Sequence, residues 1–159
     1  MDKNSPIIRP VTLNDAEKIT EHRHRMFVEA GKPDDEHLKA MSSAFLAWVK
    51  TKLQANQYLG WFALDEEQVI SGIGMMIIEW PPHPLHFEPL RGYILNVFTE
   101  PHYRGQGIAK YLTQVAMDEA RKRKLNLTIL HATSMGKTLY EKLGFKTTNE
   151  MQWSSNTSP

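Results

Sequence analysis

An α/β (α+β) fold, with a mixed sheet flanked by helices in the order β-α-α-β-β-β-α-β-α-β, is predicted by three features of the sequence. Apolar runs of strand length alternate with long stretches that repeat apolar residues at helical spacing. A strand-helix-strand order in the C-terminal half calls for parallel pairing, whereas a polar turn at Asp65 to Gln68 between two apolar runs calls for an antiparallel hairpin. The 159 residues, 41% hydrophobic and 23% charged, suffice for one domain with a continuous core.

Ile7 to Thr12 is short and apolar and reads as the first strand; Asn14 and Asp15 behind it offer oxygens to cap a helix start. That helix should end near Gly31 and Pro33. Ala16, Ile19, Met26, Phe27 and Ala30 share one of its faces, with Arg23 in the middle of that face and His22 at its edge. A second helix, from about Asp35 to Asn56, repeats Leu38, Met41, Phe45, Trp48, Val49 and Leu53 as a core stripe. Tyr58 to Leu64 and Val69 to Glu79 form the hairpin. Trp80 to Pro89 holds four prolines, which lack the amide hydrogen a ladder needs, and reads as a loop. Gly92 to Thr99 is a strand, Gly107 to Lys124 an amphipathic helix, Leu125 to Ala132 a strand, Met135 to Leu143 a helix and Phe145 to Trp153 a last strand. A single domain spans 1–153, and 154–159 reads as a disordered tail.

The net charge of +1, from 19 basic and 18 acidic residues, creates no global field toward nucleic acid or a membrane surface, and neither partner is expected. With no cysteine there are no disulfides, thiolate metal sites or cysteine nucleophile. The start MDKNSPIIRP lacks an apolar signal region and no run has the length of a membrane span, which makes cytoplasmic the default expectation. His83 and His86 sit in the proline-rich loop without a frame to fix ligand geometry, so no metal is expected. Arg121 to Lys124 are four cations in the last turn of a helix, where its dipole and solvent explain them.

The most informative stretch runs from Tyr93 to Gly107, where a strand passes through Pro101 into a glycine-rich turn and a helix. Gly105 and Gly107 allow positive φ, and the helix start leaves amide hydrogens pointing outward, which makes an anion site suited to a pyrophosphate. Arg104 and Lys110 stand ready to supplement it, although glycines after a strand are also commonly just a turn. Two sharper phosphate motifs fail. His131 stands where a Walker loop ending in Gly136-Lys137-Thr138 needs its first glycine, and Lys110 stands where a dinucleotide fingerprint needs its third.

At these residues, and again at LYEKLGF, the sequence resembles the GNAT superfamily of N-acetyltransferases, whose phosphate loop has the form Arg/Gln-x-x-Gly-x-Gly/Ala, here Arg104, Gly107 and Ala109. The resemblance runs from about Gly92 through Met151. It implies that acetyl-CoA is the co-substrate and that Arg104, Gly105, Gln106, Gly107, Ile108, Ala109 and Lys110 surround its pyrophosphate. It also implies that Val97, Phe98 and Thr99 line the pantetheine arm, with a strand amide polarising the thioester carbonyl. Read from periodicity alone Tyr140 is a core aromatic between Leu139 and Leu143, whereas the resemblance places it where the family's tyrosine donates a hydrogen bond to the departing sulfur. Ser134 falls where the family often has asparagine on the coenzyme, and Lys137 where a small residue is common.

An amine must lose a proton before it attacks, and the candidates for taking it are His131, since imidazole titrates near neutrality, and Glu79 at a strand end. Arg23 on an apolar face must pair with an acid or open onto a cleft. In the resembling fold the first helices and the loop after the hairpin line the acceptor side, which would gather Arg23, Glu79 and Trp80 around one cavity and favour an acceptor carrying a carboxylate. The expected function is acetyl-CoA-dependent acetylation of a primary amine on a small molecule or peptide by direct attack on the thioester. The alternatives are a protein lysine or N-terminal acetyltransferase, and a non-catalytic acyl-CoA sensor; a homodimer is compatible with all three.

Overall fold

The computed structural model describes residues 6–155. Strand β1 (Ile7–Pro10) leads through a 3-10 turn at Leu13–Asp15 into helix α1 (Ala16–Glu29). Asp15 fixes that entry: it accepts from the Thr12 amide at 2.7 Å, and Arg9 grips it with two bonds of 2.9 and 2.8 Å. At the far end Gly31 adopts φ +87°, Lys32 N–H reaches the Phe27 carbonyl and Gly31 N–H that of Val28, the left-handed closure that glycine makes cheap. Helix α2 (Glu36–Gln54) starts on Asp35, whose side chain accepts from the Leu38 amide at 3.0 Å.

Strands β2 (Tyr58–Asp65) and β3 (Gln68–Glu79) form the expected hairpin, with Glu66 at φ +53° in the turn. β4 (Leu90–Thr99) returns antiparallel on β3 and begins two residues before the expected start, because Leu90 still pairs with Glu79 across the proline loop. Helix α3 (Ile108–Lys122) crosses over to β5 (Thr128–Leu130), which lies parallel to β4. Helix α4 (Lys137–Lys142) follows. The five strands stand in the order β1-β2-β3-β4-β5.

The sheet carries a core on each face. One, built on Ile73, Met75, Ile94, Leu112 and Ala116, lies under α3. The other joins Ala16, Ile19, Phe45 and Val49 of the first two helices to Tyr58 and Phe62. Two expectations need correction. β5 is three residues long instead of the whole of Leu125–Ala132, and Phe145–Trp153 forms no strand. Phe145 docks by its ring on Tyr140, at 5.8 Å between centroids, while Met151 and Trp153 are 94% and 86% exposed, so no apolar face draws that segment into a ladder. Of the tail expected to be disordered, positions 156–159 lie outside the described residues.

Candidate functional site

β4 contains the feature on which the site is built. Gly74 pairs with Leu95 and Gly72 with Phe98, so Ile73 alone faces both Asn96 and Val97, a bulge in which Asn96 takes φ +54°. The extra residue changes the parity of the strand. Leu95 and Phe98 meet the α1 side, Phe98 against His22, whereas Ile94 and Val97 pack toward α3. Asn96 joins Leu95 and Phe98 on the α1 side through Arg23 and Tyr58. The parallel ladder to β5 ends at Ile94 and Leu130, so from Leu95 to Thr99 β4 has β3 on one flank and no strand on the other. An extended ligand arm finds backbone to pair with there. Val97 and Thr99 are half-buried and Phe98 is buried along this stretch.

Below the open flank the chain turns through Pro101–Tyr103 into the loop before α3. Gly105 and Gly107 adopt φ +76° and +82°, and a Cβ at either would meet no protein atom within 4 Å. No protein group accepts a hydrogen bond from the amides of Gly105 to Lys110 among the described residues; the helix ladder first closes at Tyr111 N–H to the Gly107 carbonyl. Unpaired amides, open space at both glycines and the positive end of α3 together fit a pyrophosphate. Ile108 is buried and holds the loop to the α3 core, Ala109 is half-buried, and Gln106 bonds back to the His102 carbonyl at 3.3 Å. Lys110 is exposed in the first turn and has no ion-pair partner among the described residues.

Arg104, expected beside the phosphate, has its guanidinium engaged by the protein. Its Nη2 meets Glu29 Oε2 at 2.6 Å and its Nε donates to the Thr99 carbonyl at 2.9 Å. Next to it Arg25 binds Glu100 with two bonds of 2.6 and 2.7 Å, and both guanidinium groups lie against the Phe98 ring. These pairs tie the ends of the loop to α1.

Tyr140 is 8% exposed, and burial pushes its phenol pKa up, which keeps the proton on the oxygen. Its position follows from the end of α4: Gly144 at φ +90° lets Phe145 N–H return to the Tyr140 carbonyl, the closure that also brings the two rings together. The hydroxyl bonds to no group among the described residues. Ser134 is exposed in the turn before α4, where Thr133 Oγ1, overlooked in the sequence, accepts from the Gly136 amide at 3.2 Å.

On the α1 face of the sheet a cavity of ≈ 360 Å³ opens beside the bulge. Arg23, Phe45 and Trp48 line it from the helices; Met76, Ile78, Tyr93 and Leu95 line it from β3 and β4. Arg23 meets no acid among the described residues. Its Nη1 donates to Asn96 Oδ1 at 2.8 Å, its Cζ lies 4.7 Å from the Phe45 centroid, and its Nε is buried without an acceptor among the described residues. Asn96 in turn donates to the Tyr58 hydroxyl at 3.1 Å, and burial pushes the Tyr58 pKa up to about 12.

Glu79 and Trp80 do not join Arg23 in this cavity. β3 carries them past Ile78 to its end, where Glu79 is exposed and Trp80 stacks on Arg91 at 4.9 Å. His131 lies just past β5, exposed, and also outside the lining. Its Nδ1 is hydrogen-bonded to the hydroxyl of Tyr93, which does line the cavity, and its Nε2 faces Glu150 at 3.5 Å. Tyr93 and Trp48 line the cavity but were not among the site residues the sequence suggested. Among the described residues no cluster of three His, Cys, Asp or Glu could hold a metal ion, and no helix is long and apolar enough to cross a membrane.

Comparison with known proteins agrees with this geometry. A GCN5-related N-acetyltransferase of Ralstonia eutropha is 40% identical, superposes with a TM-score of 0.88 and covers 93% of this chain and 97% of its own. A structure from Clostridium acetobutylicum, named as a predicted acetyltransferase with acetyl-CoA, is 27% identical with a TM-score of 0.86 over 94% of this chain and 95% of that one. Among curated proteins, N-alpha-acetyltransferase 30 of Saccharomyces cerevisiae is 36% identical over 76 residues, 46% of this chain and 42% of the yeast protein. The chain thus spans about half the length, or less, of the curated relatives it matches. The family model of the acetyltransferase (GNAT) domain matches residues 7–148, and the chain belongs to that family.

Proposed function

We propose that this protein moves the acetyl group of acetyl-CoA onto a primary amine of a small molecule or peptide by direct attack on the thioester. The observation that carries the reading is one strand serving both ligands: β4 has an open flank leading to the unpaired amides of Gly105 to Lys110, and its bulge borders the Arg23 cavity. In this reading those amides hold the pyrophosphate and the backbone of Val97, Phe98 and Thr99 lines the pantetheine arm. Acetyl-CoA supplies an activated acyl group. A strand amide stabilises the charge that builds on its carbonyl oxygen, and the Tyr140 hydroxyl donates to the sulfur as the thiolate leaves.

The amine's proton passes to the Tyr93 hydroxyl while Tyr93 hands its own to His131, which is open to solvent. His131 thus serves through Tyr93, without touching the acceptor. Glu79, exposed at the strand end, has no part in the step. The name of the Saccharomyces cerevisiae relative, N-alpha-acetyltransferase 30, supports a second acceptor, an α-amine. The test follows thiol release from acetyl-CoA over a panel of free amino acids, aliphatic amines, polyamines and short peptides. Turnover on one class supports transfer; acetyl-CoA binding with no turnover on any overturns it in favour of a sensor.

A further inference from the structure

The charge in the cavity is the unresolved element of the site. Five of the seven arginines meet a carboxylate: Arg9 with Asp15, Arg25 with Glu100, Arg104 with Glu29, Arg121 with Asp118 and Arg123 with Glu119. Among the described residues Arg91 and Arg23 meet none, and of these two only Arg23 lines the cavity. Burial lowers its pKa, yet a guanidinium stays charged at any ordinary pH. A neutral amide, Asn96, is its one hydrogen-bond partner among the described residues, where Nη2 makes no bond. A half-buried cation beside apolar walls, with no counter-ion, is costly unless a ligand brings the anion.

The rest of the lining sets the remainder of the ligand. Phe45, Trp48, Met76, Ile78 and Leu95 offer apolar surface, and ≈ 360 Å³ accommodates a molecule of amino-acid size. Arg23 touches Asn96 in the bulge, and the next residue, Val97, belongs to the backbone that would flank the thioester. An amine attacking there while its own carboxylate reaches Arg23 must carry the two groups close together.

We infer that the acceptor is an α- or β-amino carboxylate with an apolar or aromatic side chain, its carboxylate paired with Arg23 and its side chain laid against Phe45 and Trp48. This rests on the acetyl-transfer reading above. It disfavours polyamines, whose extra charges the guanidinium repels, and long peptides, whose carboxylate lies far from the amine.

The experiment compares kcat/KM for phenylalanine, leucine and methionine with the same three as carboxamides, and measures binding of N-acetylphenylalanine and its amide by calorimetry. The free acids should exceed the amides roughly tenfold or more in both readouts, the scale of a charge-assisted hydrogen bond at a partly buried site. Arg23→Gln should bring both ratios near unity, and Arg23→Lys should retain part of them. Acid-to-amide ratios within about threefold in the parent overturn the inference whatever the variants do, on the same scale. Ratios kept intact in a folded Arg23→Gln also overturn it. The two readings fail separately: turnover on amines regardless of a carboxylate leaves transfer standing, and acid-selective binding without turnover on any amine leaves the carboxylate site standing.

Discussion

Gly74 lies under the ring of Tyr58, and replacing it with alanine tests the buried network that holds Arg23. An added Cβ would stand 2.1 Å from the Tyr58 hydroxyl and 2.5 Å from Cζ, where ordinary contact needs about 3.5 Å. Tyr58 is 2% exposed among core side chains, so its ring must shift and its hydroxyl leave Asn96, which is itself 4% exposed. An unsatisfied buried amide costs about 1–3 kcal/mol and forced repacking a similar amount. Gly74→Ala should therefore lose about 3 kcal/mol, which for a domain of this size lowers Tm by roughly 6–12 °C in a calorimetric scan. Gly31→Ala is the control: φ is +87° but a Cβ meets nothing within 4 Å, so only left-handed strain of about 1 kcal/mol is expected. A Gly74→Ala protein no less stable than Gly31→Ala would refute the argument from the Tyr58–Asn96 contact.

Tyr140→Phe should lower kcat about tenfold or more with acetyl-CoA affinity little changed, because the hydroxyl acts when charge develops on the sulfur; unchanged kcat under chemistry-limited conditions returns Tyr140 to the core. His22 is 1% exposed between Phe62 and Phe98, and its pKa is pushed down to about 4, chiefly by burial and then by the Lys18 charge. The folded protein refuses a proton that the unfolded chain binds below about pH 6.5, so stability is full above that pH and falls as pH drops toward 4. Between pH 7 and pH 5 this group should remove about 2 kcal/mol, read from urea midpoints, and His22→Gln should flatten that part of the profile; an unaltered pH dependence in the variant would assign the loss elsewhere.

The loop before α3 was legible because its signal is local: two glycines two apart permit backbone of positive φ, and both have it. The hairpin and the first two helices follow from polar turns and apolar stripes for the same reason. Arg23 stood out as the exception on an apolar face, and the structure gives that exception a cavity. The bulge in β4 was not legible. Strict alternation would send Asn96 and Phe98 to the α3 face, and only the pairing of one Ile73 with two residues reverses that. Asn96 is among the residue types that tolerate positive φ, a hint too weak to read alone. The contacts of Arg104 and His131 could not be read from the sequence, because their partners, Glu29 and Tyr93, stand 75 and 38 positions away in the chain. The missing last strand had alternation but no apolar face to bury.

The central claim is that the backbone between Gly105 and Lys110 holds the pyrophosphate of acetyl-CoA, and calorimetric titration of acetyl-CoA into the parent and into Gly107→Val tests it most directly. A Cβ at Gly107 would meet no protein atom within 4 Å, but φ +82° is refused by a β-branched residue, so the amides must turn away while the core under α3 stays packed. The account predicts binding to the parent and a loss of at least about 30-fold in the variant, on the order of 2 kcal/mol, with far-UV circular dichroism preserved. Equal affinity of the two folded proteins would contradict it.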